Sequence, residues 1–95
     1  MPVSAQVTIT SAARTQLSSH GVNFKWLLFQ NNSTDNMRVG DVTIVAGVYG
    51  TGKGILLTPG GGNFTGATPI QNGILSNWYV AGTAADVLDI TYEPA

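Results

Sequence analysis

Between Val87 and Tyr92 the chain reads Val-Leu-Asp-Ile-Thr-Tyr, with Leu88, Ile90 and Tyr92 alternating with Asp89 and Thr91. Alternate side chains of a strand point to opposite faces, so this run predicts a half-buried strand and not a helix. Leu75 to Ala81 before it is also rich in β-formers, and Gly82 to Asp86 between the two carries turn residues. A strand, a short loop and a returning strand over Leu75 to Tyr92 is the expected reading, a C-terminal hairpin. Its first arm is apolar on both faces, with Trp78 and Val80 on one and Leu75, Tyr79 and Ala81 on the other. Such an arm needs cover from a second sheet or another subunit. Trp78 and Tyr79 cannot both enter one core, so one of them is a candidate contact to another chain, where aromatics are enriched.

The rest of the chain repeats this punctuation. Val3, Ala5, Val7 and Ile9 alternate with Ser4, Gln6, Thr8 and Thr10. This is a half-buried strand, or equally an N-terminal arm (residues 1–10) exchanged with or pressed against a neighbouring subunit. Ser11 to His20 is short and polar, and Gly21 follows it, which favours a turn over a helix. Phe24 to Phe29 holds four consecutive apolar residues, Trp26 to Phe29, and no alternation, as expected of a central strand covered on both faces. Gln30 to Asn36 reads as a polar turn. Met37 to Val39, Val42 to Tyr49, Ile55 to Leu57 and, briefly, Asn63 to Thr65 read as strands, with Gly40-Asp41 a bulge or turn and Gly66 to Gly73 a loop. Six to eight short strands make this a small all-β domain, an antiparallel sandwich or jelly-roll-like fold, spanning residues 1–95 as one unit.

A chain of 95 residues buries about 64% of its unfolded surface, a modest core, and it has no cysteine to reinforce it. Oligomerisation is one of the supports left to so small a domain. Only 9% of residues are charged, where about 25% is ordinary. Ser, Thr, Asn and Gln total 28 against nine charges, so hydroxyls and amides wet the surface or neighbours cover it. A net charge of −1 without a basic run argues against nucleic acid as a partner. No apolar run approaches the roughly 20 residues of a membrane span. The first ten residues lack the basic and apolar regions of a secretory signal, so glycosylation at the Asn-x-Ser/Thr matches is not expected.

Few motifs carry chemistry. Gly47-Val-Tyr-Gly-Thr-Gly-Lys53-Gly54 approaches a phosphate-binding loop, but Gly54 stands where a magnesium-holding hydroxyl belongs, and no helix follows. It reads as a connector. His20, the only histidine, follows Ser18 and Ser19 with no third group to orient it, and reads as a loop residue. Asp35, Asp41, Asp86 and Asp89 lack the spacing of a calcium loop. No cofactor, metal or catalytic residue is therefore expected.

Gly54-Ile-Leu-Leu-Thr-Pro-Gly, then Leu75-Ser-Asn-Trp-Tyr-Val-Ala-Gly-Thr-Ala-Ala-Asp-Val, and the earlier Gln30-Asn31-Asn32 to Val39-Gly40 segment resemble the small virion structural proteins of tailed bacteriophages. The resemblance spans roughly Phe24 to Tyr92 and rests on short motifs built from turn residues. It implies a β-sandwich without catalysis that assembles in the host cytoplasm and resides in the virion. The expected role is a capsid decoration or cement protein, a homo-oligomer (a trimer) bound to virion proteins such as the major capsid protein. The alternatives are a tail or fibre component, or a module binding a receptor or carbohydrate. Candidate subunit or capsid contacts are Val3, Ala5 and Val7 in the N-terminal strand, and Trp78 or Tyr79.

Overall fold

A computed structural model describes residues 1–10, 14–46, 52–59 and 70–95. Among them are eight strands: β1 (Val3–Thr8), β2 (Thr15–Gln16), β3 (Asn23–Asn31), β4 (Met37–Gly40), β5 (Ile55–Leu57), β6 (Ile70–Ile74), β7 (Tyr79–Ala81) and β8 (Val87–Pro94). They form two antiparallel sheets, β1-β8-β3-β6 and β2-β7-β4-β5. The expected small all-β sandwich is the fold. Its core is made where the inward positions meet: Val7, Phe24, Leu27, Phe29, Leu88 and Ile90 from the first sheet, Met37, Val39, Leu57 and Val80 from the second. The period-two pattern explains β8 directly, since Leu88 and Ile90 are buried while Asp89 and Thr91 face outward, half-buried.

The C-terminal hairpin is not formed. β7 pairs with β2 and β4, whereas β8 pairs with β1 and β3, so residues 82–86 carry the chain from one sheet to the other. The corner is drawn tight against the residue that follows β1. The Ile9 N–H donates to the Asp86 carbonyl at 2.9 Å, and the Ala85 N–H donates back to the Ile9 carbonyl at 2.8 Å. Ala85 adopts a left-handed φ of 77° to make this turn. A Cβ on Gly82 would lie 3.0 Å from Ile9 Cδ1 and 3.2 Å from Met37 Cβ, so the corner has little room for a side chain. The other end of the expected first arm also differs, because Leu75–Asn77 is a 3-10 turn.

Four further expectations change. β3 is central, between β8 and β6, but it is not an apolar run buried on both sides. Its register against β8 shifts between Phe24 and Trp26, a bulge that restarts the alternation. Phe24 is therefore inward before the shift and Leu27, Phe29 and Asn31 after it, leaving Trp26 and Leu28 half-buried on the outer face. The strand also runs on through Gln30 and Asn31, where a turn was expected. Of the expected loop from Gly66 to Gly73, residues 70–73 belong to β6. Of the expected strand from Val42 to Tyr49, Val45 makes a single bridge to Lys53. Residues 47–51 of the loop resembling a phosphate-binding motif, the Asn63 to Thr65 strand and residues 66–69 lie outside the described residues.

Asn31 shows what holds the two sheets in register at one end. It is fully buried. Its Nδ2 donates to the Leu57 carbonyl of β5 at 2.9 Å and to the Asp35 carbonyl at 2.8 Å, and its Oδ1 accepts from Ser33 Oγ at 2.6 Å. A buried amide costs free energy unless it is bonded, and this one bonds across the sandwich and to its own following turn.

Candidate interaction surface

The outer face of the β1-β8-β3-β6 sheet is a set of cross-strand rows. Gln6, Asp89 and Gln30 stand opposite one another on β1, β8 and β3, and the next row is Ser4, Thr91 and Leu28. Beyond that, Trp26 stands opposite Glu93 on one side and Gln71 on the other. Gln6 Nε2 donates to Asp89 Oδ1 at 3.0 Å, and the hydroxyls of Ser4 and Thr91 are 3.2 Å apart. These rows border a shallow depression of about 330 Å³ whose lining includes Ser4, Gln6, Gln30, Asp89 and Thr91. Amides, hydroxyls and a carboxylate held by an amide offer hydrogen bonds from a flat surface.

The edge of this sheet is its second feature. Because the Ile9 N–H donates toward β8, so by alternation do those of Val7, Ala5 and Val3. The backbone polar groups of Ser4, Gln6 and Thr8 then line the far edge, which no other strand among the described residues covers. Exposed edges of this kind are usually guarded by charge, proline, a bulge or shortness. β1 has six residues, Val-Ser-Ala-Gln-Val-Thr, with no charge and no proline, and its register with β8 is unbroken. The other edges differ. β6 is kinked by Asn72 at φ 54°, and β2 and β5 have two and three residues.

The candidate contact residues separate on this framework. Val3 and Ala5 are exposed on the edge strand, while Val7 belongs to the core. Trp78 packs against the core with its ring centroid 5.9 Å from that of Phe29. Tyr79 is half-buried and opposite Gly40 on the outer side of the second sheet. The structure therefore brings Val3 and Ala5 together and leaves Tyr79 on a different face. Sequence reasoning missed the outward row Gln6, Asp89 and Gln30, because Gln30 was assigned to a turn. Extending the strand alternation from Phe29 to Asn31 is the signal that finds it.

His20 is exposed, and its local bonds are to its serine neighbours. Its backbone N–H donates to Ser18 Oγ at 3.0 Å, and Nδ1 lies 3.4 Å from Ser19 Oγ. Among the described residues no three acidic, histidine or cysteine side chains gather as a metal site. Two carboxylates are perturbed. Burial, and then the neighbouring Asp35 carboxylate, push Asp86 above its ordinary value, and its Oδ2 is shut from solvent without a hydrogen-bond partner among the described residues. Asp41 is held below its ordinary value by the Thr43 hydroxyl and N–H, at 2.6 and 2.8 Å. Both fit turn closure, the first at the corner between sheets and the second after β4.

Comparison with family models, with curated proteins and with solved structures returned no match.

Proposed function

We propose that this chain is a non-enzymatic structural protein of a bacteriophage particle. In this reading it is a capsid decoration protein that acts as a homo-oligomer on the particle surface and meets the major capsid protein. The observation that carries the reading is the unguarded neutral edge of β1. A strand edge left open without charge or bulge suits a protein whose edge is covered in its working state. The sparse charge of the chain, nine ionisable Asp, Glu, Lys and Arg residues in 95, agrees with that. So does the resemblance of Gly54 to Gly60 and Leu75 to Val87 to small virion proteins. Mass spectrometry of purified particles, with electron imaging of particles carrying a labelled copy, tests it. Label distributed over the shell supports decoration. Label confined to the tail overturns decoration in favour of a tail or fibre role, and particles without the chain overturn the whole reading.

A second reading is favoured by the row Gln6, Asp89 and Gln30 with Trp26 on the same face. Planar amides and a carboxylate beside an aromatic ring suit the hydroxyls and apolar faces of a carbohydrate receptor. A glycan array with hits lost on Asp89→Ala and Trp26→Ala supports it, and an array without hits removes it.

A further inference from the structure

We infer that β1 pairs antiparallel with β1 of a second copy across a two-fold axis at Ala5, joining two sheets into one of eight strands. The observation behind this is that Val3-Ser4-Ala5-Gln6-Val7 has the same apolar and polar order in both directions about Ala5. The proposed particle role supplies only the biological setting for this pairing.

Register decides where the axis lies. A one-residue slip moves every side chain of a strand to the wrong face. Pairing all six residues end to end would set Val3 against Thr8 and Ala5 against Gln6, mixing the faces. An axis at Ala5 sets Val3 against Val7, Ala5 against Ala5 and Ser4 against Gln6, so each face meets its own kind. An axis at Gln6 also keeps the faces but leaves Val3 unpaired, and Val3 is one of the exposed large apolar residues, at 38%.

The backbone agrees with this register. Ser4 and Gln6 carry the free N–H and carbonyl groups, so each Ser4 exchanges both bonds with Gln6 of the second copy. Ala5 then faces Ala5 as a pair without hydrogen bonds, whose Cα atoms stand about 4.5 Å apart. Thr8 falls opposite Pro2, which has no N–H to give but accepts through its carbonyl. No charge of β1 meets a like charge, because the strand has none.

Area sets the strength. An edge about 20 Å long and about 10 Å deep on each copy buries on the order of 400 Å² in all, below the roughly 1,000 Å² of a stable interface. The pair is weak in dilute solution and forms where copies are held close, as on a shell. It joins copies two by two.

The chain contains no cysteine, so single substitutions report on the axis directly. Ala5→Cys brings two thiols within disulfide reach on the axis. Val3→Cys places its two thiols about 13 Å apart along the strands. Under mild oxidation of concentrated folded protein, Ala5→Cys is expected to form covalent dimer at least tenfold faster than Val3→Cys. Both side chains are exposed, so folding is retained and is checked by circular dichroism. Equal rates, or no Ala5→Cys dimer, would overturn the inference. Crosslinking of Ala5→Cys to a different virion chain in particles would overturn the second copy as occupant while leaving the particle role standing.

Discussion

Replacing Asn31 with alanine removes a buried amide that bonds β3 of one sheet to the end of β5 in the other. The three bonds are not equivalent. The Asp35 carbonyl keeps a donor in Ser33 Oγ at 2.9 Å, and Ser33 itself is only half-buried. The Leu57 carbonyl loses its Asn31 donor inside the sandwich, where desolvation of an unpaired group costs about 1–3 kcal/mol. Adding about 1 kcal/mol for the two less buried bonds gives a loss of about 2–4 kcal/mol. For a domain of this size that is a fall in Tm of about 10–25 °C. Asn31→Asp has the same shape but no donors, and it points a carboxylate at two carbonyls. It is expected to be the more destabilised variant at neutral pH and to recover as the solution is acidified. Urea unfolding followed by tryptophan fluorescence measures both. A loss below about 1 kcal/mol for each variant would refute the claim that this amide ties the sheets together.

Two other perturbations test the corner and a turn. The folded-state value of Asp86 is raised above 3.8, so its protonated form is favoured by folding. Its contribution is complete below 3.8 and is lost as pH rises through the raised value. Asp86→Asn is therefore expected to have a higher Tm than the parent at neutral pH, with the gap closing on acidification; a gap independent of pH would contradict this. Gly54 has φ of +116°, and a Cβ there would lie 3.0 Å from the Val39 carbonyl oxygen and 2.9 Å from Ile44 Cγ2. Gly54→Ala is expected to cost more than about 1 kcal/mol in urea unfolding, and a neutral effect would show that the turn relaxes.

The strands were legible in sequence where alternation was uninterrupted, as at Val3 to Thr8 and Val87 to Tyr92. The layer each strand joins was not. Gly82 to Asp86 has turn residues suited to a hairpin, yet β7 and β8 part because Ile9 captures the Ala85 and Asp86 backbone and pulls β8 to the other sheet. Apolar residues on both faces of Leu75 to Ala81 carried a hint of that, since a hairpin with one wet face does not need them. β3 was misread because its outward positions after the bulge, Trp26 and Leu28, are as apolar as the inward Leu27 and Phe29, so the residue types show no period although the faces alternate. Asn31 was assigned to a turn by residue type, and its burial follows only from a tertiary partner, Leu57, 26 positions away. The β1 edge was legible as a candidate contact in Val3 and Ala5. That no described strand covers its far side, and that Val7 belongs to the core, requires the pairing with β8.

The central claim is that the open edge of β1 is covered when the protein works, and amide hydrogen exchange resolved by residue tests it most directly. In dilute protein the amides of β1 divide by direction: those of Val3, Ala5 and Val7 point to β8, and those of Ser4, Gln6 and Thr8 point to solvent. The account predicts that Ser4, Gln6 and Thr8 exchange fast at low concentration and become protected as copies are concentrated or bound to particles. Unchanged fast exchange at these three positions under both conditions would contradict it.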